Sequence, residues 1–111
     1  AANQTDPIHH ALTRPPLAEE EATRRGIALA EMAGVPVYVV HMSAERAALA
    51  TGEARSRGVR AYAETCPQYL VLTDEKLKQP HFHGANYVCS PPLRTEDHQE
   101  ALWRGLQDGS L

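Results

Sequence analysis

The fold of this chain is decided by one stretch of sequence, Val37-Tyr38-Val39-Val40-His41-Met42-Ser43. Its first four residues are apolar and mostly β-branched, a pattern typical of a strand buried on both faces of a parallel sheet. We therefore predict a strand over residues 36–41, and we expect Ser43 to be the N-cap of the helix that follows.

His41 lies at the C-terminal end of this predicted strand and is the first candidate for a functional residue. In parallel α/β folds, ligands and metal ions collect at the C-terminal ends of strands, because the loops there converge on one crevice. A neutral imidazole suits metal binding, whereas a lone histidine more often has a hydrogen-bonded structural role. The strand alone leaves both interpretations open.

The rest of the chain alternates between helical and extended patterns. Residues 1–16 are predicted to be a loop, and a helix follows Pro15-Pro16 and ends at about Gly34. The later predicted elements are a helix at 44–57, a strand at 59–64, a helical turn near 74–77, an extended piece at 87–90 and a helix at 96–107. This alternation predicts an α/β fold with parallel strands.

The predicted sheet is too small to be complete. A parallel strand is normally covered on both faces and paired on both edges, which two strands and three helices do not achieve. We therefore expect residues 1–111 to form one partial domain, a section of a larger α/β barrel or doubly wound sheet. The chain begins with Ala1 rather than Met, which is compatible with a fragment or a processed chain.

Composition restricts the class of protein. The 111 residues are 42% hydrophobic and 23% charged, as in ordinary globular domains, and the formal net charge is −3. We expect no nucleic-acid or membrane partner, because there is no basic patch and no apolar run near the roughly 20 residues of a membrane span. The absence of a signal peptide and the presence of only Cys66 and Cys89 favour a cytoplasmic protein with buried thiols.

Five blocks of sequence carry a resemblance to a known family. They are residues 10–16 (HALTRPP), 36–43 (PVYVVHMS), 64–70 (ETCPQYL), 90–94 (SPPLR) and 98–103 (HQEALW). In this order and spacing they closely resemble the bacterial D-hydantoinase/dihydropyrimidinase family of cyclic amidohydrolases. The resemblance covers nearly the whole chain.

The resemblance implies a (β/α)8 TIM-type barrel with a small β-rich domain, assembled as a homotetramer. By this likeness the chain spans about strands six and seven with their flanking helices. Family members hold two metal ions, usually zinc, bridged by a carboxylated lysine and a hydroxide. His41 matches the metal-binding histidine of strand six, while the lysine and the other ligands fall outside this chain.

The resemblance also implies an activity and a substrate-binding residue. The family hydrolyses the cyclic amide bond of hydantoins and dihydropyrimidines to N-carbamoyl amino acids. Ser90 matches a family serine whose main chain hydrogen-bonds the substrate ring, and Pro91-Pro92 would keep that stretch rigid. The alternative is an ordinary serine before a proline turn. With one metal ligand, the isolated segment is expected to bind zinc weakly and to be inactive.

Other functions remain open at this point. Allantoinase-like relatives typically have histidine where this chain has Gln68, so Gln68 favours the hydantoinase branch. A catalytically inactive dihydropyrimidinase-related scaffold protein is a second alternative, which the intact His41 argues against. A stand-alone α/β binding module is a third, and the unpaired parallel strands argue against it.

Several other polar residues resemble functional ones but receive structural interpretations. His81 and His83 have the spacing of a metal-binding pair, yet they lie in a loop bordered by Pro80 and Gly84. The remaining candidates with structural interpretations are His9, His10, His98, Glu64 and Cys66. His98 is predicted to cap or pair locally within the first turn of the last helix.

Overall fold

The two predicted strands form a parallel pair in a computed structural model, which describes residues 4–111. Strand β1 (Val37–Val39) lies beside β2 (Ala61–Ala63), with Val37 opposite Ala61 and Val39 opposite Ala63. Both strands are shorter than predicted. Strand β1 ends early because the backbone turns at His41, whose φ is 47°.

Residues 4–111 also contain five α-helices, of which the three long ones were predicted. They are α1 (Ile8–Leu12), α2 (Pro16–Ala33), α3 (Glu45–Ser56), α4 (Pro67–Val71) and α5 (Glu96–Asp108), with 3-10 helices at Asp74–Lys78 and His83–Tyr87. Helix α2 ends at Gly34 and α5 at Gly109, both in the left-handed conformation that glycine adopts without steric cost. These glycines confirm the predicted ends of both helices.

The short elements correct the sequence prediction. Helix α1 lies in the predicted loop of residues 1–16, of which residues 1–3 are outside the described part. Helix α4 and the 3-10 helix His83–Tyr87 were also missed, so the extended piece at 87–90 is only partly right. The helical turn near residues 74–77 is confirmed as Asp74–Lys78.

The sheet is covered by helices on one face. Ala61 is buried with Ile27 of α2 and with Ala50 and Ala54 of α3. On the other face, residues 4–111 leave Tyr38 58% exposed and Tyr62 49% exposed. The prediction of a strand buried on both faces is therefore wrong for this chain taken alone.

The larger core lies beyond the C-terminal end of β1. It joins the start of α3 to α4 and α5, and its buried members are Met42, Ala44, Ala47, Ala48, Tyr69, Leu93 and Leu102. The chain measures 48 × 32 × 17 Å, and its radius of gyration is 15.2 Å. A compact domain of about 100 residues has a radius near 13 Å, so this chain forms a flat layer. No helix in the described part has the length and apolarity to span a membrane.

Candidate functional site

A cleft of about 520 Å³ opens at the C-terminal end of β1. Its walls are the start of α2, the residues that follow β1 and the segment that precedes α5. His41 and Ser90 both line this cleft, although they are far apart in sequence. The structure therefore brings the two candidate site residues to one place.

The turn at His41 is held by the segment that follows β2. The Met42 N–H donates to the Glu64 carbonyl at 2.8 Å, and the Glu64 N–H donates to the Val39 carbonyl at 3.0 Å. The Thr65 hydroxyl donates to the Met42 carbonyl at 2.7 Å. A left-handed backbone at a residue other than glycine costs about 1–3 kcal/mol and persists where the surroundings fix it, as they do at His41.

The His41 imidazole is exposed to the cleft. Within residues 4–111 it has no hydrogen-bond partner. Its nitrogen donor suits zinc. However, no group of three histidine, cysteine, aspartate or glutamate side chains in this range could hold a metal ion. A metal ion bound by His41 would therefore need further ligands from outside residues 4–111.

The carbonyls of the two residues that flank Ser90 accept hydrogen bonds, whereas the main chain of Ser90 itself is unpaired within residues 4–111. The His10 Nε2–H donates to the Cys89 carbonyl at 2.7 Å, and the Tyr69 hydroxyl donates to the Pro91 carbonyl at 2.7 Å. Burial raises the pKa of Tyr69, which keeps the hydroxyl protonated as a donor. Neither the N–H nor the carbonyl of Ser90 has a partner within residues 4–111, so both are available to a ligand.

Two charged residues that were not predicted as site residues, Glu19 and Arg94, also line the cleft. Glu19 lies in the first turn of α2, and its carboxylate accepts hydrogen bonds from the N–H groups of Ser43 and Ala44. The N-cap of α3 is Ala44, and the Ser43 hydroxyl donates to Glu19 instead. The predicted N-cap role of Ser43 is therefore wrong. Arg94 lies in the family block 90–94, and Glu19 lies three residues after the block 10–16. This proximity to the family blocks is the signal by which the sequence could have indicated them.

Known proteins identify the family once this geometry is established. A D-hydantoinase from Geobacillus stearothermophilus is 55% identical over 107 residues, which is 96% of this chain and 23% of that protein. A D-hydantoinase from Streptomyces coelicolor is 51% identical over 111 residues, which is 100% of this chain and 24% of that protein. The chain thus spans about a quarter of the length of the curated relatives it matches.

A solved D-hydantoinase structure from Bacillus sp. AR9 superposes with a TM-score of 0.96 at 54% identity, covering 98% of this chain and 24% of that one. No family model matches the sequence. The chain belongs to the D-hydantoinase/dihydropyrimidinase family. The fold agrees with that assignment as an α/β arrangement with a two-stranded parallel sheet.

The remaining histidines of this hydantoinase-family chain lie away from His41. His81 and His83 are exposed, with ring centroids 6.3 Å apart, and neither lines the cleft. His9 contacts the Asp6 carbonyl at 3.2 Å. His98 accepts the Glu45 N–H at 3.1 Å, so it caps α3 rather than its own helix. These contacts agree with structural roles.

Two other candidates in the family motif 64–70 also receive structural partners. The Glu64 carboxylate accepts the Tyr38 hydroxyl at 2.9 Å, and this bond raises the pKa of Tyr38. Glu64 does not line the cleft. Cys66 and Cys89 are free thiols that are half-buried rather than buried, because both lie at the edge of the larger core.

Proposed function

We propose that the full-length protein containing this chain hydrolyses the cyclic amide bond of hydantoins and dihydropyrimidines to give N-carbamoyl amino acids. One observation carries the proposal: the His41 imidazole and the unpaired main chain of Ser90 line the same cleft. Family membership supports the reaction class, since the similar proteins are named D-hydantoinase.

The proposed architecture is a (β/α)8 barrel in which β1 and β2 are about strands six and seven. The parallel register supports it, as do the helices packed on a single face. Tyr38 and Tyr62 on the uncovered face would then point into the barrel. Further strands would cover them and complete the domain.

His41 is proposed as one ligand of a site for two divalent metal ions, zinc in the first instance. A carboxylated lysine outside this chain would bridge them. When bound, such ions supply Lewis-acid polarisation of an amide carbonyl and lower the pKa of a water molecule. His41 lies in a left-handed turn after β1 and lines the cleft, and a ligand at this position would be the contribution of this chain.

Ser90 is proposed to bind the substrate ring through its main chain. A cyclic imide or diamide presents both N–H donors and carbonyl acceptors, which complement the free carbonyl and N–H of Ser90. Hydrolysis adds a hydroxyl to the ring carbonyl carbon, breaks the ring carbon–nitrogen bond and leaves a proton on the departing nitrogen. Fixed anchoring of the ring keeps that carbonyl in place while the bond breaks.

We further propose a cytoplasmic homotetramer as the state of the whole protein. An allantoinase-like enzyme and a catalytically inactive scaffold relative remain alternatives to the main proposal. Gln68 favours the hydantoinase branch over the allantoinase-like one. The presence of a histidine at position 41 favours an active enzyme over the scaffold.

The test is the opening of dihydrouracil, phenylhydantoin and allantoin by the full-length protein, with and without a chelator. The proposal expects chelator-sensitive opening of the first two rings. Opening of allantoin alone would support the allantoinase-like alternative. Lack of turnover on all three rings, with metal supplied, would support the inactive scaffold and refute the proposal.

A further inference from the structure

A largely buried ion pair, Glu19 with Arg94, forms part of the wall of the cleft. The Arg94 Nη2 lies 3.0 Å from the Glu19 Oε2, and the two side chains are only 7% and 12% exposed. Burial removes the hydration of both charges, so such a pair contributes little net stability despite its strong attraction. The other hydrogen-bond partners of Glu19 and Arg94 show which segments the ion pair holds in place.

Glu19 holds the residues that immediately follow His41. Its Oε1 accepts the N–H groups of Ser43 at 2.7 Å and Ala44 at 2.9 Å, and its Oε2 accepts the Ser43 hydroxyl at 2.6 Å. These bonds begin two residues after His41. Glu64 and Thr65 fix the turn from the other side, so Glu19 completes the support of its left-handed backbone.

Arg94 joins the same network to the segment that carries Ser90. Its Nε donates to the Ser43 hydroxyl at 3.2 Å, and its Nη1 donates to the Arg14 carbonyl. Between Ser90 and Arg94 the chain contains two prolines and a leucine, and of these Pro92 and Leu93 are buried. A displacement of Arg94 would therefore be transmitted to Ser90 through a stiff connection.

We propose that Glu19 and Arg94 are positioning residues that hold His41 and Ser90 in fixed relation across the cleft. The inference rests on the proposed function, because it takes His41 as a metal ligand and Ser90 as the ring-binding residue. Three separate nitrogens of the planar guanidinium contact Glu19, Ser43 and Arg14, an arrangement that the single nitrogen of a lysine does not reproduce. The Arg94→Lys variant therefore keeps the positive charge but loses the simultaneous contacts with Glu19, Ser43 and Arg14.

The experiment compares Glu19→Gln and Arg94→Lys with the matched control Glu20→Gln in the full-length protein. Glu20 is the next residue, its side chain is 9% exposed, and it pairs with Arg24 and Arg46, but it does not line the cleft. Zinc affinity of the metal-free protein is measured by competition with a chromophoric chelator, and kcat and KM are measured with dihydrouracil.

Glu19→Gln is expected to weaken zinc binding and to lower kcat, each by about 10–100-fold, because its partners adjoin His41. Arg94→Lys is expected to raise KM by about tenfold or more, because Arg94 follows Ser90. Glu20→Gln should stay within about twofold of the parent protein in all three quantities, as expected for a residue off the cleft. If Glu19→Gln does not fold, Ser43→Ala is expected to change zinc affinity in the same direction.

Equal effects of Glu19→Gln and Glu20→Gln on zinc affinity and on kcat would overturn the inference, since the pair would then serve stability alone. An unchanged KM in Arg94→Lys would also overturn it. If the parent protein opens no ring but Glu19→Gln alone weakens zinc binding, the proposed function fails and the positioning of His41 by Glu19 stands.

Discussion

Replacement of Met42 by alanine tests whether the larger core supports the site. Met42 follows His41 directly, and its side chain is 1% exposed. The change removes the γ-methylene, the sulfur and the ε-methyl group. Truncation of a buried methionine costs about 2–5 kcal/mol, with the larger values where the surroundings cannot collapse. Because Ala44, Ala47 and Ala48 are too short to fill the space, we expect about 3–5 kcal/mol.

The assay is urea unfolding of the full-length protein, followed by circular dichroism, together with zinc content. Met42→Leu preserves most of the volume and should cost less than about 1.5 kcal/mol. Met32→Ala is the matched surface control, since Met32 is 78% exposed, and it should stay within about 0.5 kcal/mol. If Met42→Ala and Met32→Ala have equal free energies of unfolding, Met42 does not belong to a packed core and the reasoning is refuted.

Three further predictions concern stability. Burial raises the pKa of Tyr69, so its contribution is complete below about pH 10 and is lost at higher pH as the unfolded chain ionises first. In urea unfolding, Tyr69→Phe should reduce the decrease in the free energy of unfolding at alkaline pH. An unchanged dependence on pH would show that Tyr69 is not the group responsible. His98→Leu should lower the free energy of unfolding by about 1–3 kcal/mol because the Glu45 N–H loses its acceptor. His98→Asn should recover most of the lost free energy of unfolding, because asparagine restores an acceptor. Equal losses in the two variants would show that the hydrogen bond from the Glu45 N–H is not the cause. A Cβ at Gly84 would lie 2.2 Å from the Leu77 carbonyl oxygen, so Gly84→Ala should lower the melting temperature. Gly26→Ala should raise the melting temperature, because no heavy atom of residues 4–111 lies within 4 Å of its Cβ. Equal shifts of the melting temperature in the two variants would refute the close contact between Gly84 and Leu77.

The elements predicted from sequence are those whose signals are local. Strand β1 follows from its β-branched residues, and the ends of α2 and α5 follow from Gly34 and Gly109. Helix α4 was missed because five residues provide little helical periodicity, and its stability comes from packing against α5.

The site could be predicted only in part, because its contacts join residues that are far apart in the sequence. His41 and Ser90 were found through a strand end and a family resemblance, but the structure was needed to place both on one cleft. Ser43 was expected to cap α3 by the local rule, whereas Glu19 supplies those bonds from 24 residues earlier in the chain. Arg94 lies 75 residues from Glu19, and sequence spacing carries no signal for that pair.

The proposed function depends most directly on His41 binding a metal ion in the full-length protein. The most direct measurement is the number of zinc ions bound per chain, by elemental analysis, in the parent protein and in His41→Ala. His83→Ala is the control, because His83 is exposed and does not line the cleft. We expect His41→Ala to lose one metal ion and most of the turnover, while its circular dichroism and the metal content and turnover of the control remain unchanged. Retention of both metal ions and the full rate in His41→Ala would contradict it.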